Sequence, residues 1–135
     1  MPWFSITLRI HGETLDPCEV TDALKHSPTS SCCKGDRASG TSLSAHTGKW
    51  SLKFTPESLP LEDCCDAVEH ILTLLPDDPA IWKAITLHHR ADFFIGLCLD
   101  TKNRGIELSP ELMSALAIRG VKIGFDVYSH EAESS

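Results

Sequence analysis

Four stretches of this chain alternate apolar and polar residues with a period of two, and this alternation limits the fold more than any other feature. Phe4, Ile6, Leu8 and Ile10 interleave with Ser5, Thr7 and Arg9, and Trp50, Leu52 and Phe54 with Lys49, Ser51 and Lys53. Ala91, Phe93, Ile95, Leu97 and Leu99 interleave with Asp92, Phe94, Gly96 and Cys98. Val121, Ile123, Phe125 and Val127 interleave with Lys122, Gly124, Asp126 and Tyr128. Successive side chains of an extended strand point to opposite faces, so each stretch has one apolar face to bury and one mixed face left over. Such strands suit an antiparallel sheet covered on one side; the strands of a parallel sheet buried on both faces are apolar throughout.

Between these stretches the apolar spacing changes to that of a helix. Asp16 can cap, Pro17 suits the first helical position and Glu19 closes a capping box, predicting a helix that buries Val20, Ala23 and Leu24 and stops near Ser27-Pro28. Leu61, Cys64, Cys65, Val68, Ile71, Leu72 and Leu75 mark a second helix, with Glu62, Asp63, Asp66 and Glu69 on its outer face and Pro76 at its end. Asp78-Pro79 starts a short helix burying Ile81, Trp82 and Ile85, and Ser109-Pro110 starts another that Gly120 terminates. The sequence around Leu15-Asp16-Pro17 echoes that around Leu108-Ser109-Pro110, which suggests two β-α-β-like halves. The expected architecture is α+β, a two-layer sandwich with a mainly antiparallel sheet of four or five strands and helices packed on one face.

With 135 residues, 41% of them hydrophobic, the chain can bury one real core. We expect a single globular domain over 1–135, its core at about 4–128 and a polar tail at 129–135. There is no apolar run long enough to span a bilayer, and the start lacks the pattern of a signal peptide, so no membrane association and a cytoplasmic location are expected. In that compartment the cysteines at 18, 32, 33, 64, 65 and 98 read as reduced thiols. A net charge of −7 argues against a sequence-independent grip on nucleic acid. The charge is uneven. From Glu57 to Asp78 every charged side chain is acidic, whereas from Cys32 to Phe54 Lys34, Arg37, Lys49 and Lys53 face Asp36 alone.

The chemistry-bearing motifs are incomplete. Gly35-Asp36-Arg37-Ala38-Ser39-Gly40-Thr41-Ser42 has Thr41 where a phosphate-binding loop needs lysine, and no strand–helix context. Cys32-Cys33 and Cys64-Cys65 are adjacent pairs, whereas tetrahedral zinc sites use cysteines two to four residues apart, so no metal and no cofactor are expected. Acidic pairs such as Glu62-Asp63 and Asp77-Asp78 read as helix surface or caps rather than a general acid and base.

Taken in order, several motifs resemble a bacterial family catalogued as domain of unknown function 4279. They are Leu8-Arg9-Ile10 with Leu15-Asp16-Pro17, Pro28-Thr29 leading to Lys34-Gly35-Asp36, Gly48-Lys49-Trp50-Ser51-Leu52, and Leu108-Ser109-Pro110-Glu111-Leu112 before Gly120 and Asp126-Val127-Tyr128. The resemblance runs from about Phe4 to Tyr128. One departure is Cys32-Cys33, where the family often has an aromatic residue. The resemblance supplies no catalytic residues; it implies a small bacterial cytosolic protein of a kind that often serves as an immunity partner of toxins.

Three readings follow. The first is a non-enzymatic immunity protein that neutralises a cognate toxin, such as a nuclease, through Glu62, Asp63, Asp66, Glu69, Asp77 and Asp78. The second is a domain binding a small molecule or anion through a basic loop of Lys34, Asp36, Arg37 and Lys49, with Trp50 as a stacking wall. The third is a homodimer paired through the mixed sheet face, where Arg9, Lys53, Asp92, Phe94, Asp126 and Tyr128 are the candidates.

Overall fold

A computed structural model describes residues 3–35, 47–54, 64–99 and 106–129. In chain order the elements are β1 (Trp3–Gly12), α1 (Pro17–Leu24), β2 (Ser30–Cys32), β3 (Gly48–Phe54), α2 (Cys64–Thr73), α3 (Pro79–Thr86), β4 (Arg90–Leu99), α4 (Pro110–Arg119) and β5 (Lys122–Ser129). The strands form one sheet in the order β2-β3-β1-β4-β5. β1 is antiparallel to β3 and to β4, β2 is antiparallel to β3, and β4 and β5 run parallel. The architecture is α+β, and the parallel edge pair makes the sheet mixed rather than wholly antiparallel.

One handedness rule explains why all helices share a face. The links β1 to β2, β3 to β4 and β4 to β5 each join parallel strands, so each needs a crossover. The first travels toward one edge along one strand direction; the other two travel toward the opposite edge from strands of opposite direction. The two reversals cancel, and a common preference for right-handed crossovers sends every helix to the same side. Phe4, Ile6, Leu8, Ile10, Trp50, Leu52, Phe54, Ala91, Phe93, Ile95 and Leu97 form the covered face, and Val20, Leu24, Val68, Ile71, Trp82, Ile85, Leu112 and Leu116 close over it.

The helix starts follow the local chemistry. Asp16, Asp78 and Ser109 cap α1, α3 and α4, each with proline just inside, accepting from Cys18 N (3.0 Å), Ala80 N (2.9 Å) and Leu112 N (3.0 Å). Gly120, at φ 70°, closes α4 in the left-handed conformation that glycine adopts without steric cost. Some expectations need correction. Among the described residues Glu19 makes no reciprocal capping bond, and α1 stops at Leu24 with Lys25 at φ 56°, before Ser27-Pro28. Residues 61–63 lie outside the described residues, where α2 begins at Cys64. Strand β2, three residues long, has no alternation to predict it and is held by its register on β3. β5 begins one residue later than expected and includes Ser129, which the sequence reading assigned to the tail.

The echoed caps occupy related places, since α1 and α4 each follow one of the two central antiparallel strands. Beyond the helix the halves differ: α1 leads past β3 to β2, while α4 returns to the strand next to β4. The repeat therefore covers a strand and a helix, not a complete β-α-β unit.

Candidate functional site

Strand register arranges the open face in rows. Lys49, His11 and Arg90 are direct cross-strand neighbours on β3, β1 and β4, and Cys32 of β2 extends the row beyond Lys49. All three basic side chains are exposed, and among the described residues none pairs with a carboxylate. The next row runs Ser51, Arg9, Asp92, Lys122. Here Arg9 Nε and Nη2 donate to the two Asp92 oxygens at 2.9 and 2.6 Å, and the guanidinium stacks 4.4 Å from the Phe94 ring centre. The hydrogen bonds to Asp92 raise the pKa of Arg9 further, so this cation is permanent and already matched. A hollow of about 400 Å³ lies at the junction, lined by Arg9, Ile10, His11, Thr47, Lys49 and Ser51.

Of the basic-loop candidates the structure describes Lys34, Lys49 and Trp50. Lys34 is exposed and pairs with Glu13 at 3.3 Å. Asp36 and Arg37 lie outside the described residues. Lys49 stands on the open face, but Trp50, one residue on, points the other way: it is fully buried and its indole N–H donates to Thr21 Oγ1 at 3.0 Å. Strand alternation thus corrects the stacking-wall role, because neighbouring residues cannot both face one ligand. His11 and Arg90 were missed as partners of Lys49. Each lies one residue outside the alternating stretch read from the sequence, and the register that aligns them is a long-range property.

The acidic candidates divide as well. Glu62 and Asp63 lie outside the described residues. Asp66 is exposed near the start of α2, about 10 Å along the axis from the helix end at Thr73, and Asp77 and Asp78 follow that end. Glu69 is half-buried and structural, because its Oε1 accepts from Ser109 Oγ at 2.7 Å, tying α2 to the cap of α4. Asp78 caps α3 while remaining exposed. Asp77 borders a hollow of about 500 Å³ with Leu72, Thr73, Leu75, Pro76 and Arg119. Arg119 is buried beneath it, donating from Nη1 to Ala115 O at 3.0 Å, with its guanidinium 5.9 Å from the Trp82 ring centre.

A groove of about 410 Å³ separates α1 from α3, its walls formed by Val20, Ala23, Ala80, Ile81, Ala84 and Ile85 with Asp16, Glu19 and His89 around them. His89 packs against Gly12 so closely that a Cβ there would collide with Nδ1, a buried nitrogen without a hydrogen-bond partner among the described residues. Burial lowers the His89 pKa, the charge of His88 lowers it further, and Glu19 pulls it back up. Cys64 and Cys65 lie buried in the apolar stripe of α2, and among the described residues no group of three or more histidines, cysteines or carboxylates is placed to hold a metal.

A family model described as domain of unknown function (DUF4279) matches residues 2–130. The chain belongs to this family. The DUF4279 match spans every described strand and helix, so the open-face rows, the acidic helical surface and the α1–α3 groove all lie within the family domain. No curated protein and no solved structure matches the chain. No described helix of this DUF4279 domain is long and apolar enough to cross a membrane.

Proposed function

We propose that this protein is a non-enzymatic bacterial immunity protein that binds and neutralises a cognate toxin in the cytoplasm, a basic nuclease being the class its charge suits. The observation carrying this reading is the composition of the helical layer. Asp77 and Asp78 are exposed there with no cation in ion-pair reach among the described residues, and Leu74, Leu87, Met113 and Ile118 are exposed on the same layer. Unmatched carboxylates steer a basic partner into encounter, while large exposed apolar side chains supply area that a stable complex can bury. Of the six acidic residues named from sequence, Asp66, Asp77 and Asp78 remain the candidates for contact, and Glu69 supports the surface from below.

The deciding experiment is co-expression with the product of the neighbouring gene. Protection of the cells and co-purification of the two proteins are the expected results; absence of both sinks the reading. Within a complex, Asp66→Lys combined with Asp77→Lys is expected to slow association about tenfold at low salt and to flatten its salt dependence. An unchanged association rate would remove this surface from the interface.

A further inference from the structure

We infer that the Lys49–His11–Arg90 row is a binding site for a small molecule bearing a di- or triphosphate. The argument starts from the neighbours in this row. Lys49 and Arg90 flank His11 on the two neighbouring strands, so two cations share one row of the open face, where a carboxylate in the row would match them. One row away such a match is present, since Asp92 takes both hydrogen bonds from Arg9. In the Lys49–His11–Arg90 row it is absent among the described residues, in a chain whose net charge is −7 and which has carboxylates to spare. An anion lying across the row would match both cations.

The geometry selects the kind of anion. Adjacent strands lie about 4.8 Å apart, so the row spans roughly 10 Å from β3 to β4, too far for one carboxylate to meet every group. A chain of two or three phosphates carries repeated charge over that span. Arg90 offers a planar fork of N–H donors, Lys49 a compact ammonium and His11 a ring N–H, a set suited to phosphate oxygens. The hollow of about 400 Å³ beside His11 and Lys49 leaves room for the rest of a small ligand, with Thr47 and Ser51 supplying hydroxyl groups. Arg9, held by Asp92 and Phe94, forms a fixed wall of the hollow. This site lies on the sheet layer, opposite the helical layer on which the toxin-binding reading rests, so either can fail without the other.

Titration calorimetry of the full chain with tripolyphosphate, compared with inorganic phosphate and sulfate, tests the inference. Saturable binding of tripolyphosphate is expected, tighter than that of either single anion. Lys49→Gln and Arg90→Gln should each weaken it about tenfold, the loss of one charge-assisted contact. Lys53→Gln is the control, because Lys53 shares the open face but stands opposite Thr7, two rows away; it should leave affinity within about twofold. Circular dichroism and thermal melting confirm that each variant is folded. Two results would overturn the inference: no saturable binding of tripolyphosphate at millimolar concentration, or equal weakening by Lys53→Gln, which would reduce the row to diffuse surface charge.

Discussion

His89 is the residue at which packing and protonation are most tightly linked. Its ring is accommodated because position 12 is glycine, and burial together with the charge of His88 lowers its pKa below the ordinary 6.5 despite the opposing pull of Glu19. Above 6.5 the imidazole is neutral in both folded and unfolded chains and contributes no pH dependence. As pH falls through 6.5, the unfolded chain takes up a proton that the folded chain still refuses, so stability declines until the folded ring also protonates. His89→Gln should therefore lose less stability than the wild-type chain between about pH 7.5 and about pH 5.5, measured by urea unfolding at each pH. Identical pH dependence in the two proteins would show that His89 titrates alike folded and unfolded. The depressed pKa was not legible in the sequence, because its leading cause, burial of the ring in its packing against Gly12, is a product of the fold.

At the scale of elements, the chain from Leu112 N–H to Ser109 Oγ to Glu69 carboxylate makes one serine serve two helices. Ser109→Ala should cost about 1–2 kcal/mol, combining the loss of an N-cap with the loss of a partner for a half-buried carboxylate. Glu69→Ala in the Ser109→Ala background should cost less than Glu69→Ala alone, because the bond they share is already gone. Strictly additive costs in urea titrations would show that the two residues act independently. The helix starts at Asp16-Pro17, Asp78-Pro79 and Ser109-Pro110 were legible because a cap and its proline act within one turn. The second role of Ser109 was not, since its partner is forty positions away. The same division explains the sheet. Alternation disclosed β1, β3, β4 and β5, whereas Ser30–Cys32 has no pattern of its own and becomes a strand through pairing with Lys49, Trp50 and Ser51.

At the scale of the whole molecule, the charge of the described residues is biased by layer, acidic on the helical side and basic on the sheet side. Among the described residues the helical side displays Asp16, Glu19, Asp22, Asp66, Asp77, Asp78 and Glu111 against Lys25 and Lys83, while the sheet side displays Arg9, His11, Lys49, Lys53, Arg90 and Lys122 around Asp92 and Asp126. The sequence revealed local charge bias, but assigning each bias to a layer required the register and the crossovers. That is why Lys49 stands beside His11 and Arg90 on the open face while its neighbour Trp50 lies in the core. The same topology sets a hierarchy of stability. β1 and β4 are the longest strands, are paired on both sides, and carry Ile6, Leu8, Phe93 and Ile95 at 0% exposure. β2 is an edge strand of three residues whose side chains are exposed or only half-buried. Opening β2 breaks few contacts, whereas freeing the amides of the central pair requires the core to come apart. In native-state hydrogen exchange, the ladder amides of β1 and β4 should therefore exchange with the free energy of global unfolding, and those of Ser30–Cys32 at least about a hundredfold faster, a gap of roughly 2.7 kcal/mol or more. Equal protection of the edge and the centre would mean that the sheet opens as a single unit, contrary to the hierarchy set by its strand order.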